Sequence, residues 1–200
     1  MKIRLFALIS LLILTTLPAA GQSSEVAKVN ALVKQIDAVI KKHKDAELVF
    51  ADAADIESNK EEWQKFASTD ALDKHRESVS ETYTIAYCWR MKGNLASANF
   101  TEFSPSGDWT NYTSHWFRPD GTTAKVFIDY RTFNGDIILE QDIYLNTAGK
   151  VIKKVERILD LRSHKPKKLT KDVRAEAKGL ADEVHYFKST SKLPFAKLLK

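Results

Sequence analysis

Cysteine is nearly missing from this sequence, since Cys88 is the single one among 200 residues. One thiol rules out an internal disulfide, so the fold has to be stabilised by the burial of apolar surface. A nucleophilic cysteine needs a neighbouring base and an electropositive setting. Cys88 instead stands beside Trp89 in a stretch with strand character, where a free cysteine is usually buried. We therefore expect Cys88 to be a packing residue of the core.

The signatures of several enzyme and metalloprotein classes are also missing. The chain has no glycine-rich phosphate loop, no nucleophile elbow, no HExxH pair of histidines and no cluster of cysteine and histidine. The acidic residues between 52 and 62 lack the central glycine of a calcium-binding loop. The basic stretch 162–171 has no interleaved aromatic residues, which argues against nucleic acid as a partner. The sequence thus predicts no cofactor, no metal site and no nucleic-acid binding.

Long apolar runs are scarce too, and the one marked example covers residues 5–17. A membrane span needs about 20 apolar residues, so this run is too short to cross a bilayer as a helix. Lys2 and Arg4 precede it and small residues follow it, which is the pattern of a cleaved secretory signal. The sequence therefore predicts a signal peptide over 1–21 and a mature chain over 22–200, exported to the periplasm or the exterior. No membrane span is expected after cleavage.

Charge is distributed unevenly along the chain. Residues 22–149 carry 14 basic and 20 acidic side chains, whereas residues 150–200 carry 15 basic and 6 acidic ones. Two interpretations stay open: the basic part binds an anionic partner, or it folds against the acidic part of the same chain. The last residues, 192–200, combine lysine with apolar side chains, which predicts docking on the fold or contact with an anionic surface. An anionic surface bound through 162–200 is therefore one candidate partner.

Turn residues divide the segment 81–161 into six stretches with strand character. Glycine, proline, asparagine or aspartate stands at almost every expected reversal, most clearly at Gly93-Asn94, Pro119-Asp120-Gly121 and Asn134-Gly135. The stretches between the turns are rich in aromatic and β-branched residues. This pattern predicts a six-stranded antiparallel meander that forms a curved sheet.

Helical periodicity precedes the predicted sheet. Apolar residues recur every three or four positions over 24–44, which predicts an amphipathic helix with Ser24 as its N-cap. The rest of the segment 22–80 is also predicted to be helical and to pack on the sheet. Its signals are a capping box at 58–61 and a short helix over 70–78.

A basic connector and a short helix are expected after the sheet, over 162–200, with helical spacing from 171 to about 188. The predicted fold class is therefore α+β. It consists of a six-stranded antiparallel meander, an N-terminal amphipathic helix packed on one face, and a short C-terminal helix. Residues 22–200 are expected to form one domain.

The tight turns also predict which residues oppose each other in the sheet, because turn type fixes strand register. Counted outwards from the three turns, the opposed pairs are Tyr87 with Phe100, Trp89 with Ala98, Tyr112 with Ile128, Trp116 with Ala124, and Tyr130 with Leu139. Each register places apolar residues opposite apolar or small ones. This agreement predicts one apolar face and one polar face.

The apolar face is the first candidate site, because tyrosine and tryptophan combine apolar rings with polar groups. Such side chains either pack in a core under a helix or line a partly wet cleft between the helix and the sheet. Both interpretations stay open. If a cleft exists, its ligand-binding residues are predicted to be Tyr87, Trp89, Phe100, Tyr112, Trp116 and Tyr130.

The polar face carries a row of carboxylates that is the second candidate site. The turn registers place Asp129 beside Glu140, with Asn111 beside Asp129 and Glu156 continuing the row. Two neighbouring carboxylates with different pKa values are the minimum for acid–base hydrolysis. An exposed acidic row held by nearby cations is the competing interpretation. His115 stands alone, without a matching set of metal ligands, and is expected on the surface.

Three functions are compatible with these observations. The leading hypothesis is an exported protein without enzymatic activity that holds a small apolar or aromatic ligand, or a peptide, between sheet and helix. The second is a hydrolase that uses Asp129 and Glu140. The third is a cell-envelope interaction module whose basic tail contacts an anionic surface. Because architecture alone does not assign function, the choice depends on the geometry of the two sheet faces.

Overall fold

The computed structural model describes residues 19–43, 45–54, 60–78 and 84–200. Its regular elements are α1 (Ala19–Ile40), β1 (Leu48–Asp52), β2 (Trp63–Phe66), α2 (Thr69–Ser78), β3 (Thr84–Met91), β4 (Asn94–Phe103), β5 (Trp109–Phe117), β6 (Thr123–Thr132), β7 (Ile137–Leu145), β8 (Val151–Asp160) and α3 (Lys171–Glu183). The predicted signal peptide, apart from its last three residues, and Ser58 of the predicted capping box lie outside the described residues.

One antiparallel sheet of eight strands organises the fold, in the order β2-β1-β3-β4-β5-β6-β7-β8. The predicted α+β class is confirmed. Strands β3 to β8 are the six expected between 81 and 161, and each pairs with the next, as in a meander. The sheet has two strands more than predicted, because β1 and β2 extend it beyond β3. No helix in the described ranges is long and apolar enough to cross a membrane.

The two additional strands correct the prediction that 22–80 is helical throughout. Four residues of β1 are buried, so its sequence is a continuous apolar run without the alternation of a half-exposed strand. Trp63 and Phe66 have the spacing of one helix face, but in β2 this spacing sends them to opposite faces of the sheet. The helix predicted over 70–78 is confirmed as α2.

Helix α1 lies against one face of the sheet, together with α2, and we call this side the helix face. Val29 and Ile36 are buried there, two helical turns apart, which brings both side chains to the same side of α1. Val29 packs with Ala124 of β6. The helix begins before Ser24, so Ser24 is not its N-cap, and it ends at Ile40 instead of residue 44.

The opposite side, which we call the tail face, is covered by α3 and by the residues after it, 184–200, which we call the tail. Helix α3 packs Ala177 and Leu180 against a cluster formed mainly by β6 and β7. Further along, Leu193 and Phe195 are buried against β1, β3 and β4, and the ring of Phe195 stacks on that of Phe50 with 4.2 Å between centroids. Of the two interpretations of residues 192–200, docking on the fold is therefore the one observed.

The strand registers decide which side chains share a face, and the register predicted for β6 and β7 is confirmed. Tyr130 lies opposite Leu139, and Asp129 lies opposite Glu140. The turn that sets this register contains Gly135 at a φ of 69°, a left-handed conformation that glycine adopts without steric cost.

The registers predicted for the other two hairpins are wrong by one residue. The observed opposed pairs are Tyr87 with Asn99, Trp89 with Ser97, Tyr112 with Asp129, and Trp116 with Lys125. Both hairpins change register near the turn, between residues 89 and 90 and between residues 116 and 117, where one strand takes up an irregularity of the bulge type. A displacement of one residue moves a side chain to the other face of the sheet.

The predicted apolar face is consequently divided between the two sides of the sheet. Tyr87 is paired with Val49, which packs under α2, whereas Cys88 is paired with Leu48, which packs under the tail. Following the pairs across the sheet, the helix face carries Tyr87, Trp89, Tyr112, Trp116, Asp129 and Glu140, and the tail face carries Phe100, Ile128 and Tyr130. The expectation of one apolar and one polar face is thus wrong in this arrangement.

Candidate functional site

Two of the six predicted ligand-binding aromatics belong to the core under the tail. Phe100 is buried against Phe187 and Phe195, with ring centroids 5.4 Å and 5.7 Å away. Tyr130 is buried and stacks on Trp109 at 5.4 Å. Burial, helped by nearby glutamates, raises the pKa of Tyr130 to about 12. These two side chains lie on the face opposite the other four.

Two further aromatics, Trp89 and Trp116, flank Ser97 in one cross-strand row of the helix face, and Trp116 contacts α1. The indole N–H of Trp116 donates to Oδ1 of Asp37 in α1 at 2.7 Å, and the ammonium of Lys125 lies 5.3 Å from the indole ring. Nε1 of Trp89 is buried and has no hydrogen-bond partner among the described residues. Trp116 therefore ties α1 to the sheet.

Tyr87 lies on the helix face, in the part of the sheet that α2 covers. It packs against a cluster that contains Leu72 of α2. Its burial, and secondarily the charge of Asp73, raises the pKa of its phenol. Of the predicted set, this leaves Tyr112 as the aromatic side chain with the most open surroundings.

Tyr112 is 37% exposed, and it is one of few large aromatic residues with so much free surface. The guanidinium of Arg131 lies over its ring at 5.1 Å. Two hydrogen bonds hold that guanidinium to Asp129, from Nε to Oδ1 at 2.9 Å and from Nη2 to Oδ2 at 2.7 Å. These bonds raise the pKa of Arg131 above its usual value. The ring of Tyr112 is thus fixed by a cation that is itself fixed by a carboxylate.

Around Tyr112, two cross-strand rows on β4, β5 and β6 make no hydrogen bond or ring contact with α1 or α2 among the described residues. One row pairs Asn99 with Ser114 and Ser114 with Phe127, and the next pairs Thr101 with Tyr112 and Tyr112 with Asp129. None of these side chains is buried, although most residues on the other face of the same strands are. We call this surface the open strip; its residues are Asn99, Thr101, Tyr112, Ser114, Phe127 and Asp129.

The polar groups of the open strip retain hydrogen-bonding capacity. Oδ1 of Asn99 accepts a bond from Ser97 at 3.2 Å, and its amide N–H groups donate to no described residue. In the described part of the chain, the hydroxyls of Thr101, Tyr112 and Ser114 make no hydrogen bond to another side chain or to the backbone. The strip therefore offers donors and acceptors beside an exposed ring.

Beside the strip, the charged residues of the helix face neutralise one another. The ammonium of Lys125 lies 2.6 Å from Asp142, and Arg157 contacts both Asp142 at 2.9 Å and Glu140 at 2.7 Å. Burial tends to raise the pKa of Asp142, but its bonds to Lys125 and Arg157 outweigh this effect and lower it. The carboxylate of Asp142 is thus held in its ionised form.

The predicted carboxylate row is only partly present. Asp129 and Glu140 do oppose each other, but each is bound by an arginine, Arg131 or Arg157. The expected extensions are wrong, because Asn111 opposes Tyr130 on the tail face and Glu140 opposes Arg157 instead of Glu156. A register change in the last hairpin, between residues 144 and 145, accounts for the second error.

A cleft of about 510 Å³ lies between α1 and the loops at the ends of the β5–β6 and β7–β8 hairpins. Arg118 lines it and donates to the carbonyl oxygens of Thr123 and Leu145, while burial lowers the pKa of its guanidinium. None of the six predicted aromatics contributes to this cleft. Its lining residues are Glu25, Lys28, Val29, Leu32, Arg118, Pro119, Asp120, Asn146 and Thr147.

His115 is the residue whose environment the sequence did not reveal. It was expected on the surface, but it is 0% exposed on the tail face, opposite Val126. Its Nε2 accepts a hydrogen bond from the backbone N–H of Phe187 at 2.9 Å, and Nδ1 has no partner in the described structure. Burial lowers its pKa to about 3, so the imidazole is neutral. The same one-residue register error explains the wrong prediction.

Cys88 is buried in the same core, as predicted, and burial raises the pKa of its thiol.

Within the described ranges, no three side chains of histidine, cysteine, aspartate or glutamate come together in a way that holds a metal ion. Comparisons with protein-family models, with curated proteins and with solved structures find no match for this chain.

Proposed function

We propose that this chain is an exported binding protein without catalytic activity of its own, and that its ligand lies on the open strip. The observation that carries the proposal is the strip itself. Tyr112 is exposed and the other five strip residues are half-buried, and no hydrogen bond or ring contact of the described structure joins any of the six to α1 or α2. An uncovered surface with an aromatic ring and several free hydrogen-bonding groups has the composition of a recognition site.

The hydrolase alternative has less support. A general acid needs a carboxyl group whose pKa is raised, so that it carries a proton near neutral pH. Arg131 and Arg157 bind the two candidate carboxylates, Asp129 and Glu140, so both carboxylates are already engaged in ion pairs with cations. An ion-paired row on a sheet surface has a structural explanation that needs no catalytic role.

The envelope-module alternative also loses one of its two supports. Leu193 and Phe195 are the apolar residues that an anionic membrane would attract, and both are buried in the core of this chain. Basic residues of 162–171 remain exposed, with Lys167 bound to Asp160 at 2.9 Å. Such residues provide electrostatic attraction alone, which is weak at physiological salt.

Binding on the open strip is testable by amide chemical-shift mapping with a chemically diverse fragment library that includes saccharides, amino acids and aromatic compounds. We expect the shifts of the hits to cluster on β4, β5 and β6 around Tyr112. The Tyr112→Ala variant should lose these hits, and Phe133→Ala, which removes a 65% exposed ring elsewhere, should retain them. Hits confined to other surfaces, or none at all, contradict the proposal.

Export is testable separately with the full chain in a bacterial expression host. We expect the protein in the periplasm or the medium, with an N-terminus at Gln22. Replacing two leucines of the 5–17 run with arginine should keep the chain in the cytoplasm, because the run then loses its apolar character. Recovery of the unprocessed wild-type chain from the cytoplasm would argue against export.

A further inference from the structure

The charges around the open strip point to the first property of its ligand. Asp129 is bound by Arg131, and Asp142 and Glu140 are bound by Lys125 and Arg157. A charged ligand that paired with one of these groups would compete with the partner already bound to it, and a group left unpaired at this partly buried site is costly. A neutral ligand avoids this cost. The electrostatics of the strip therefore favour an uncharged molecule.

The free polar groups indicate the second property. Asn99 offers amide donors, and the hydroxyls of Thr101, Tyr112 and Ser114 act as donors or acceptors. A purely apolar ligand would cover these groups without bonding them, and each polar group buried without a partner weakens binding. A ligand rich in hydroxyl groups would satisfy them in either direction.

The ring of Tyr112 indicates the third property. Arg131 covers part of it and holds it in place, so little conformational freedom is lost when a ligand packs on the remaining surface. A flat aromatic surface fits a ligand that has one apolar face of similar size. The C–H groups on one face of a pyranose ring form such a surface, with hydroxyls around its edge.

The distances between the side chains of the open strip match the size of a pyranose ring. Asn99 lies directly opposite Ser114, so these residues are about 5 Å apart. Tyr112 stands two positions before Ser114 in β5, about 7 Å from it. A pyranose ring stacked on Tyr112 would thus place its hydroxyls near both. Phe127 and Asp129 on the next strand would contact a neighbouring sugar.

We propose that the open strip binds a neutral carbohydrate, with one pyranose ring on Tyr112 and its hydroxyls bonded to Asn99 and Ser114. This inference rests on the proposed binding function and names its ligand class. A neutral sugar is the ligand that matches the exposed ring, the free hydrogen-bonding groups and the neutralised charges together.

A glycan array with neutral and acidic oligosaccharides tests the ligand class, followed by calorimetry and amide shift mapping with the best neutral hit. We expect binding of at least one neutral oligosaccharide, with shifts on the open strip. Tyr112→Ala should weaken it at least tenfold, because the stacking surface is lost, and Asn99→Ala should weaken it several-fold. Tyr112→Phe keeps the ring and should retain most of the affinity, as should the control Phe133→Ala.

The outcomes separate the ligand class from the function. One outcome is that the array shows binding of acidic glycans alone, or of no glycan, while library fragments other than sugars bind at Tyr112. The carbohydrate inference is then overturned and the binding function stands. If no probe of either experiment contacts the strip, both are overturned. Neutral sugars that bind with unchanged affinity to Tyr112→Ala also overturn the inference. If the wild type and the variants have equal thermal unfolding midpoints, a loss of binding comes from the lost contact and not from a loss of folded protein.

Discussion

The backbone N–H of Phe187 donates a hydrogen bond to Nε2 of His115, at 2.9 Å, across 72 positions of the sequence. This bond requires an unprotonated Nε2, so it is formed by the neutral imidazole. The hydroxyl of Thr123 donates to the carbonyl of Phe187 at 2.6 Å, which holds the same residue from the other side. The start of the tail is thus fixed to the β5–β6 hairpin by two side chains of the sheet.

Acid should destabilise the protein through His115. The pKa of His115 is about 3 in the folded state, below the ordinary value of 6.5 that it has when unfolded. Between these values the unfolded chain binds a proton that the folded chain does not, so stability is complete above pH 6.5 and falls towards pH 3. The contribution is about 1.4 kcal/mol per pH unit in this window.

Urea unfolding of the wild type and His115→Gln from pH 4 to pH 8 measures this contribution. The variant should be less stable at neutral pH but should show a shallower dependence on pH, since it lacks the titrating group. The exposed His185 provides the matched control, and His185→Gln should follow the wild-type curve. If stability depends on pH in the same way in all three proteins, His115 has the same pKa in the folded and the unfolded state, which contradicts the prediction.

The packing of the tail should contribute strongly to stability. Phe195 is 1% exposed and stacks on Phe50, so Phe195→Ala leaves a cavity beside β1. Buried phenylalanine to alanine changes usually cost about 3 to 5 kcal/mol. Phe133→Ala removes a 65% exposed ring and should change stability by less than about 0.5 kcal/mol. Thermal or urea unfolding compares the two, and similar losses would contradict a docked tail.

Two glycines should respond in opposite directions to alanine. Gly121 has a φ of +81°, and an added Cβ would lie 2.7 Å from Oγ1 of Thr190, so Gly121→Ala should cost about 1 kcal/mol or more. Gly179 is exposed within α3, with no atom near an added Cβ. Gly179→Ala should stabilise the protein by about 0.5 to 1 kcal/mol. Unfolding midpoints that move in the same direction would contradict this geometry.

The ion pairs of the helix face should contribute more to stability than the fully exposed ion pairs. Side chains of Asp142 and Lys125 are both 14% exposed, so Asp142→Asn leaves a partly buried cation without its partner. We expect a loss of about 1 to 3 kcal/mol, below the cost for a fully buried pair. Asp182→Asn breaks the exposed pair with Lys178 and should leave the stability nearly unchanged. Equal losses in urea unfolding would mean that Asp142 is effectively solvated.

The sequence predicts the six strands of the meander and the register of β6 with β7, because turn residues and alternation agree there. It does not predict the registers of the other two hairpins, since the irregularities at Trp89 and Trp116 lie next to the turns and leave no mark in the alternation. A register displaced by one residue moves each side chain of the strand to the opposite face of the sheet. For this reason Phe100 and Tyr130 were assigned to the site, and His115 to the surface.

The other differences arise from contacts between distant parts of the chain. Strand β1 is covered on both faces, by α2 and by the tail, so its apolar run resembles a helix segment as much as a strand. The open strip also depends on distant contacts, because its position follows from the strand registers of Ser114 and Tyr112 and from where α1 and α2 lie on the sheet. Among the predicted site residues, Tyr112 and Asp129 belong to it.

Thiol labelling at two adjacent residues of β5 tests the open strip most directly. Ser114 lies on the strip and is not buried, whereas Thr113 is 4% exposed on the tail face, and the native Cys88 is buried. We predict that folded Ser114→Cys reacts with a maleimide at a rate near that of a surface thiol and that folded Thr113→Cys stays unmodified until urea is added. Rapid labelling of Thr113→Cys with protection of Ser114→Cys would contradict the assignment of the faces, and with it the binding surface.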